Sequence, residues 1–377
     1  MKIAVTGATG MVGGQVVSAA LAAGHEVLAL TRPDPERRGR SLRVGGHDVP
    51  RVAAALTNTA SLTAALRGCD GLVHCAAVYA FGAARAAEVD QVNTDGTRAV
   101  IEAAAAAGVG RAVVTTSSVT CGSGLLPRAR SERDHLGAEP APTYYASKVA
   151  QEEVALETGQ RHGLPVVLAL PTVVLGGPFI RLAPSNAIVL RYLLDPTRST
   201  FAGGCNVVDA RDVGAGHLAL LERGLAGERY LLGGEDVSWR MLHSLVADLA
   251  GLPGPFAEIP AASAWALSAA AEWWAGLSDS APLTTRDEAS TVGRFYWYTS
   301  AKAHELGYAA RPARAAVAAS LAWLAVSPDL PRWAREGLRL HPEVRAARDL
   351  VAAPLTAADD LSPRPRRSPP AWPRRRR

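Results

Sequence analysis

Lysine is almost missing from this chain: of its 40 Lys and Arg side chains only Lys2, Lys148 and Lys302 are lysines. Cysteine is scarce too. Cys69, Cys75, Cys121 and Cys205 form no C-x-x-C pair and no zinc-finger spacing with histidine, which argues against a metal centre and a disulfide framework and leaves small buried thiols of a reducing, cytoplasmic protein as the expectation. No apolar run approaches the roughly 18 residues of a membrane span. The richest stretch, 261–277, is broken by Ser263, Ser268 and Glu272; its Trp265, Trp273 and Trp274 fit a helix packed on a core or on a subunit neighbour, which leaves a homodimer open. No secretory leader is expected, because the chain begins with an apolar strand and a glycine turn instead of a basic region and a cleavage site.

Acidic residues are absent from 361–377, where seven arginines gather among prolines; subtracting these seven from the net charge of +5 leaves −2 for the remainder. The globular part is therefore close to neutral, which points away from specific nucleic-acid binding, and the basic character belongs to a tail of disordered composition. With 377 residues and 48% hydrophobic content, the rest can bury a large core.

What is present is alternation. The run 2–5 reads as a strand, the turn 6–13 is glycine-rich, the stretch to Ala23 has helical spacing, and 26–30 is again a strand. A helix near 61–66, a strand at 72–74, a helix near 92–107, a strand at 112–116, a helix beginning near Tyr144 and a strand at 166–170 continue the pattern. This predicts an α/β fold, a Rossmann-like doubly wound parallel sheet covered on both faces. Pro50, at the place of a third strand, argues against one there. After Pro171 the alternation loosens; a strand at 229–232 and a helix at 239–250 follow. The expected division is a nucleotide-binding domain over 1–175 with later strands near 205–232 returning to it, a smaller substrate-binding cap over most of 176–325, and an extension over 326–377. No internal repeat is visible.

Gly7-x-x-Gly10-x-x-Gly13 stands between a strand and a helix, where glycines let backbone N–H groups approach a pyrophosphate at a helix N-terminus. The second strand ends in Thr31-Arg32-Pro33, with Asp34 two residues further on. A guanidinium instead of a carboxylate there suits a ribose 2′-phosphate, so NADP(H) is expected over NAD(H), which stays as the alternative.

Tyr144 and Lys148 are four apart and share one helix face. With eight tyrosines and three lysines in 377 residues, chance would put a lysine four residues after some tyrosine in about one such chain in sixteen. Arginine supplies positive charge nearly everywhere else, so a compact ammonium is wanted at 148. A phenol of pKa near ~10 is a poor acid at neutral pH, and an adjacent ammonium lowers that value by stabilising the phenolate. Tyr144 could then protonate a carbonyl oxygen as hydride arrives, or act in reverse. Ser118, just past the 112–116 strand, would donate a hydrogen bond to the same oxygen, with Ser117 as the fallback.

These residues resemble the extended short-chain dehydrogenase/reductase family. The matching segments are Thr6-Gly7-x-x-Gly10-x-x-Gly13, Asn93-x-x-Gly96-Thr97, Thr116-Ser117-Ser118-Val119, Tyr144-x-x-Ser147-Lys148-x-x-x-Glu152, Leu170-Pro171-Thr172, Asp212-Val213-x-x-Gly216-His217, the run 227–234 and the run 300–308. Within the family the chain looks most like the dihydroflavonol reductase-like branch and the hopanoid-associated sugar epimerase group. The resemblance implies Ser118, Tyr144 and Lys148 as catalytic residues. It implies cofactor contacts from Gly7, Thr9, Gly10, Met11, Val12, Arg32, His74, Ala76, Ala77, Thr116, Pro171 and Val173, besides Tyr144 and Lys148. Asn93 reads as structural, since a mid-helix Asn more often bonds backbone than substrate. One departure stands out: the family's Gly-Asp-Leu, whose Asp contacts adenine, is Ala54-Ala55-Leu56 here.

The expected activity is reduction of a carbonyl on a small metabolite, or the reverse alcohol oxidation. A nucleotide-sugar epimerase or dehydratase with tightly held NAD is the alternative, with Arg181, Arg191 and Arg211 available for a diphosphate, and a non-catalytic dinucleotide sensor is the third reading.

Overall fold

A computed structural model describes residues 1–33, 41–44, 47–79, 86–137, 142–178, 181–278 and 284–351. Asp34 and the arginine-rich tail lie outside the described residues. The first half runs β1 (Lys2–Thr6), α1 (Met11–Ala22), β2 (Glu26–Thr31), β3 (Ser41–Val44), β4 (His47–Ala53), α2 (Thr59–Leu66), β5 (Gly71–His74), α3 (Ala86–Asp90), α4 (Gly96–Ala107), β6 (Arg111–Thr115), α5 (Thr143–His162) and β7 (Val166–Pro171). A π-helical turn, Gln91–Asp95, joins α3 to α4. Then come β8 (Val173–Leu175), α6 (Pro184–Leu194), β9 (Ser199–Phe201), β10 (Gly204–Asp209), α7 (Ala210–Arg223), β11 (Arg229–Leu232), β12 (Glu235–Ser238), α8 (Trp239–Ala250), β13 (Ala257–Ile259), α9 (Ala261–Ser278), α10 (Arg286–Ala289), β14 (Phe295–Tyr296), α11 (Ala301–His304), α12 (Ala313–Leu324), α13 (Arg332–Glu336) and α14 (Pro342–Val351).

Eight strands form one sheet in the order β11-β7-β6-β5-β1-β2-β4-β3. All neighbours are parallel except the β3–β4 pair. This is the doubly wound arrangement. Its central strands β1, β5, β6 and β7 are buried along nearly their whole length because both faces are covered. Successive side chains leave a strand on opposite faces, so Ile3 and Val5 enter one core layer with Val16 and Val213 while Ala4 enters the other with Leu62 and Ile101. The strand order reverses between β1 and β5, which opens a crevice at their carboxyl ends.

Two expectations need correction. The third strand forms despite Pro50: β4 pairs with β2 only from Arg51 onward, and Pro50 itself faces Ser41 of the edge strand β3, so the missing N–H falls outside the β2–β4 ladder. Of the segment 205–232, only β11 joins the large sheet; β10 lies instead in a second sheet with β12, β14 and β8. That sheet and α6, α8 and α12 share one continuous core with the α1–α7 face of the large sheet. No helix among the described residues is long and apolar enough to cross a membrane.

Candidate active site

The glycine turn closes tightly on itself at the carboxyl end of β1. Gly7 has φ +66°, and a Cβ there would stand 2.8 Å from the backbone nitrogen of Ala76. A Cβ on Gly13 would collide with the Gly7 carbonyl, so α1 can lie this close to the loop only with glycine at position 13. Gly10 caps α1 with no side-chain hydrogen bond, and no acid stands in the first turn. The uncapped N–H groups and the positive end of the helix dipole thus face the crevice, a seat suited to a pyrophosphate.

Beneath this crevice runs a buried hydrogen-bonded chain. The Thr6 hydroxyl accepts the amide hydrogens of Cys75 and Ala76 at 3.1 and 3.2 Å, so its own hydrogen goes to Nδ1 of His74 at 2.7 Å. His74 therefore carries its hydrogen on Nε2 and donates it to Thr97 Oγ1 at 3.1 Å. Thr97 also accepts from Gln151 Nε2 at 3.0 Å and donates to the Asn93 carbonyl at 2.6 Å. Gln151 Oε1 accepts from Lys148 Nζ at 2.8 Å. Burial, with the Lys148 ammonium adding to it, pushes the His74 pKa down to about 3, so the imidazole is neutral, as this chain of donors requires.

Lys148 is 2% exposed. Burial lowers its pKa to about 8, opposed by the negative charge of Glu152, and at neutral pH it remains an ammonium. Glu152, one helical turn further along α5, accepts from the hydroxyls of Thr116 and Thr120 at 2.9 and 2.7 Å and pairs with Arg229 Nε of β11 at 3.0 Å. The anion that keeps Lys148 charged is thus itself fixed by the sheet. On the other side Cys75 and Thr115 meet His217, whose Nδ1 donates to the Val213 carbonyl. Burial lifts the Cys75 thiol to about 12, so it is a neutral wall.

Tyr144 sits near the start of α5, 7% exposed, with Lys148 Nζ 5.6 Å from its ring centroid. Burial raises its phenol pKa and the nearby Tyr79 phenol adds to this, while a hydrogen bond with Ser117 pulls it back. The two serines considered as its partner part at this point. Ser117, extended at φ −164°, begins the short 3₁₀ turn Ser118–Cys121 and directs its hydroxyl to Tyr144. Ser118 is buried and hydrogen-bonded to Tyr298 instead. The backbone passes from extended at Ser117 into the 3₁₀ turn at Ser118, so the two hydroxyls leave the chain in different directions.

The other expected cofactor residues divide in the same manner. Gly7, Thr9, Met11 and Val12 are half-buried around the exposed Gly10, Ala76 is half-buried, and Ala77 and Arg32 are exposed. Val173 is half-buried at the start of β8, and Pro171 is buried at the end of β7. His74, by contrast, is 0% exposed with both ring nitrogens engaged. Its side chain holds the loop and does not line the crevice. The Thr116 hydroxyl is likewise taken by Glu152. Asn93 bonds both backbone groups of Val78 at 2.8 and 3.0 Å, the structural role expected of it. At the departure from Gly-Asp-Leu, Leu56 packs against Gly96. Sequence reading does not single out Gln151, Tyr79, Tyr298 or Arg51. For Gln151 the available signal is its place three residues after Lys148; for Arg51, which donates to the Thr31 hydroxyl at 2.7 Å beside Arg32, there is none short of the sheet register.

A family model described as the NAD dependent epimerase/dehydratase family matches residues 3–233, and the chain belongs to that family. It is 32% identical over 263 residues to sterol demethylase protein B of Methylococcus capsulatus, covering 69% of this chain and 78% of that one. To the dihydroflavonol 4-reductase of Zea mays it is 28% identical over 268 residues, covering 66% and 73%. Among solved structures, a nucleoside-diphosphate-sugar epimerase from Pseudomonas aeruginosa superposes with a TM-score of 0.68 at 26% identity over 88% of this chain and 99% of that one. The protein is an NAD(P)-dependent oxidoreductase of the extended short-chain dehydrogenase/reductase type. The glycine turn, tight enough to exclude any Cβ at Gly7 and Gly13, fits such a dinucleotide.

Proposed function

We propose that this enzyme reduces a carbonyl of a small, largely apolar metabolite with NADPH, and that Tyr144 is the acid, Lys148 its electrostatic partner and Ser117 the second donor to the carbonyl oxygen. The observation that carries this reading is the Tyr144 phenol hydrogen-bonded to Ser117, with the buried Lys148 ammonium 5.6 Å from its ring centroid. Burial keeps the phenol protonated, the state a proton donor needs before reduction. A bound nicotinamide supplies the hydride. As negative charge grows on the substrate oxygen, Ser117 donates a hydrogen bond to it and Tyr144 delivers the proton; Lys148 stabilises the phenolate left behind. Gly7 to Val12 hold the pyrophosphate. Arg32 and Arg51 supply two guanidiniums at the carboxyl end of β2, which favours a 2′-phosphate there.

A nucleotide-sugar epimerase or dehydratase would need a cationic seat for a diphosphate. Arg211 is held by Asp209 through Nε and Nη2, and Arg191 pairs with Glu288, so two of the three candidate arginines are already engaged by carboxylates. Purified protein assayed for NADPH oxidation on a panel of ketones and dihydroflavonol-like compounds should turn over at least one of them, and Tyr144→Phe should cost about a thousandfold in kcat. Undiminished turnover in Tyr144→Phe would end the proposed mechanism; tightly copurifying NAD with no NADPH-dependent turnover would favour the epimerase.

A further inference from the structure

Tyr79, on the loop after β5, packs its ring on that of Tyr144 with centroids 4.5 Å apart and a tilt of 55°. Tyr144 is 7% exposed and Tyr79 is 44% exposed, so the surface a substrate meets over the proton donor is an aromatic ring. Its neighbours continue the theme. Tyr144 touches Tyr145 edge-on at 6.3 Å, Tyr145 meets Tyr296 at 6.1 Å, and Tyr298 lies behind them on Ser118. Five of the chain's eight tyrosines therefore gather along this wall.

The position of Tyr79 is fixed from both ends. The preceding residue, Val78, is clamped through both backbone groups by Asn93, which is fully buried in the π-helical turn. At its other end the phenol lies within the fields of Glu288 on α10 and Arg191 on α6, which pair with each other at 3.3 Å. That pair brings a cation and an anion together, so it offers little net charge to a charged ligand.

We propose that Tyr79 is a specificity-determining residue, which selects substrates carrying a flat, uncharged ring beside the reacting carbonyl. A planar ring meets the tyrosine wall by offset or edge-to-face stacking, and one such contact carries about a tenfold preference. A flexible chain of the same size gains only the burial of its area and loses rotamer freedom in doing so. The inference rests on the reductase reading above and adds the class of substrate to it.

The test compares 2-acetylnaphthalene with 2-octanone, a flat and a flexible methyl ketone, in NADPH-dependent turnover by wild type, Tyr79→Phe and Tyr79→Ala. Tyr79→Ala should lower kcat/KM for the naphthyl ketone about tenfold, chiefly through KM, and leave octanone within about twofold. Tyr79→Phe keeps the ring and should behave as wild type on both, which separates the lost ring from any damage to the fold. Equal losses on the two ketones, or an unchanged KM for the naphthyl ketone in Tyr79→Ala, would overturn the inference while leaving the reductase reading intact. Failure of that reading shows separately, as full activity in Tyr144→Phe. Should neither ketone turn over, saturation-transfer NMR of both ketones with the NADP⁺-loaded protein decides: weaker binding of the naphthyl ketone alone in Tyr79→Ala supports the inference, and an unchanged ratio of the two overturns it.

Discussion

Lys148 divides two very different surroundings. Toward β5 it meets polar groups whose hydrogens are all assigned: Gln151, Thr97, His74 and Thr6 pass hydrogen bonds from one to the next until they reach the backbone of Cys75 and Ala76. Toward the crevice it meets aromatic rings, with Tyr144 under Tyr79 and beside Tyr145. The polar flank sets geometry. It fixes where the ammonium stands and ties that position to the loop beside the glycine turn. The aromatic flank sets chemistry, because the same burial that costs Lys148 part of its basicity keeps Tyr144 protonated. A buried polar network is worth its desolvation only when fully satisfied, and here every member has its partner.

Removing the shared residue should give the largest effect. Lys148→Met is expected to lower kcat/KM for carbonyl reduction by about 100- to 1000-fold, and the melting temperature should hold or rise because a desolvated charge is gone. A variant that lost stability and activity together would mean that the ammonium serves the fold first. The wild-type kcat/KM should decline as pH rises past about 8, where the ammonium of the free enzyme is lost.

The aromatic flank is probed by the two serines. Ser117→Ala should cost about 10- to 100-fold in kcat, the loss of one donor to the developing oxyanion, whereas Ser118→Ala should stay within about threefold. The opposite order in steady-state rates would return the catalytic role to Ser118 and show that the 3₁₀ turn rearranges when substrate binds.

The polar flank should show itself in acid. Burial lowers the pKa of His74 to about 3 and that of His217 to about 4, both below the unfolded value of 6.5. Above pH 6.5 neither the folded nor the unfolded state holds these protons. As pH falls from 6.5 toward 4 the unfolded chain takes them up first, so stability is lost across that window. Urea unfolding between pH 7 and 4 should therefore lose up to about 3 kcal/mol per histidine as a ceiling, and His217→Gln should flatten the slope. A slope unchanged in that variant would place the acid sensitivity elsewhere.

Much of the nucleotide-binding half is legible in the chain itself. The β1 to β2 unit, the β11 strand and the α8 helix fall where apolar period, capping residues and glycine stops put them, with Ser238 capping α8 and Gly251 closing it in the left-handed region. Those signals act over a few residues. Pro50 misleads because its cost depends on which neighbour needs its N–H, and that is known only once β4 is seen to pair with β2 from Arg51. The two serines depend on tertiary detail in a related way: β6 ends at Thr115 and a 3₁₀ turn begins at Ser118, so the turn and not the apolar run sets which hydroxyl lies by Tyr144.

The sequence by itself determined the β1 to β2 unit, the glycine turn and the shared helix face of Tyr144 and Lys148, since backbone sterics and helical spacing are local rules. The tertiary structure alone decided that Ser117 meets the phenol, that His74 is withdrawn into a hydrogen-bonded chain, and that Tyr79 lies over Tyr144. These depend on contacts between residues tens to hundreds of positions apart, where burial sets both the charge a group carries and the direction it faces.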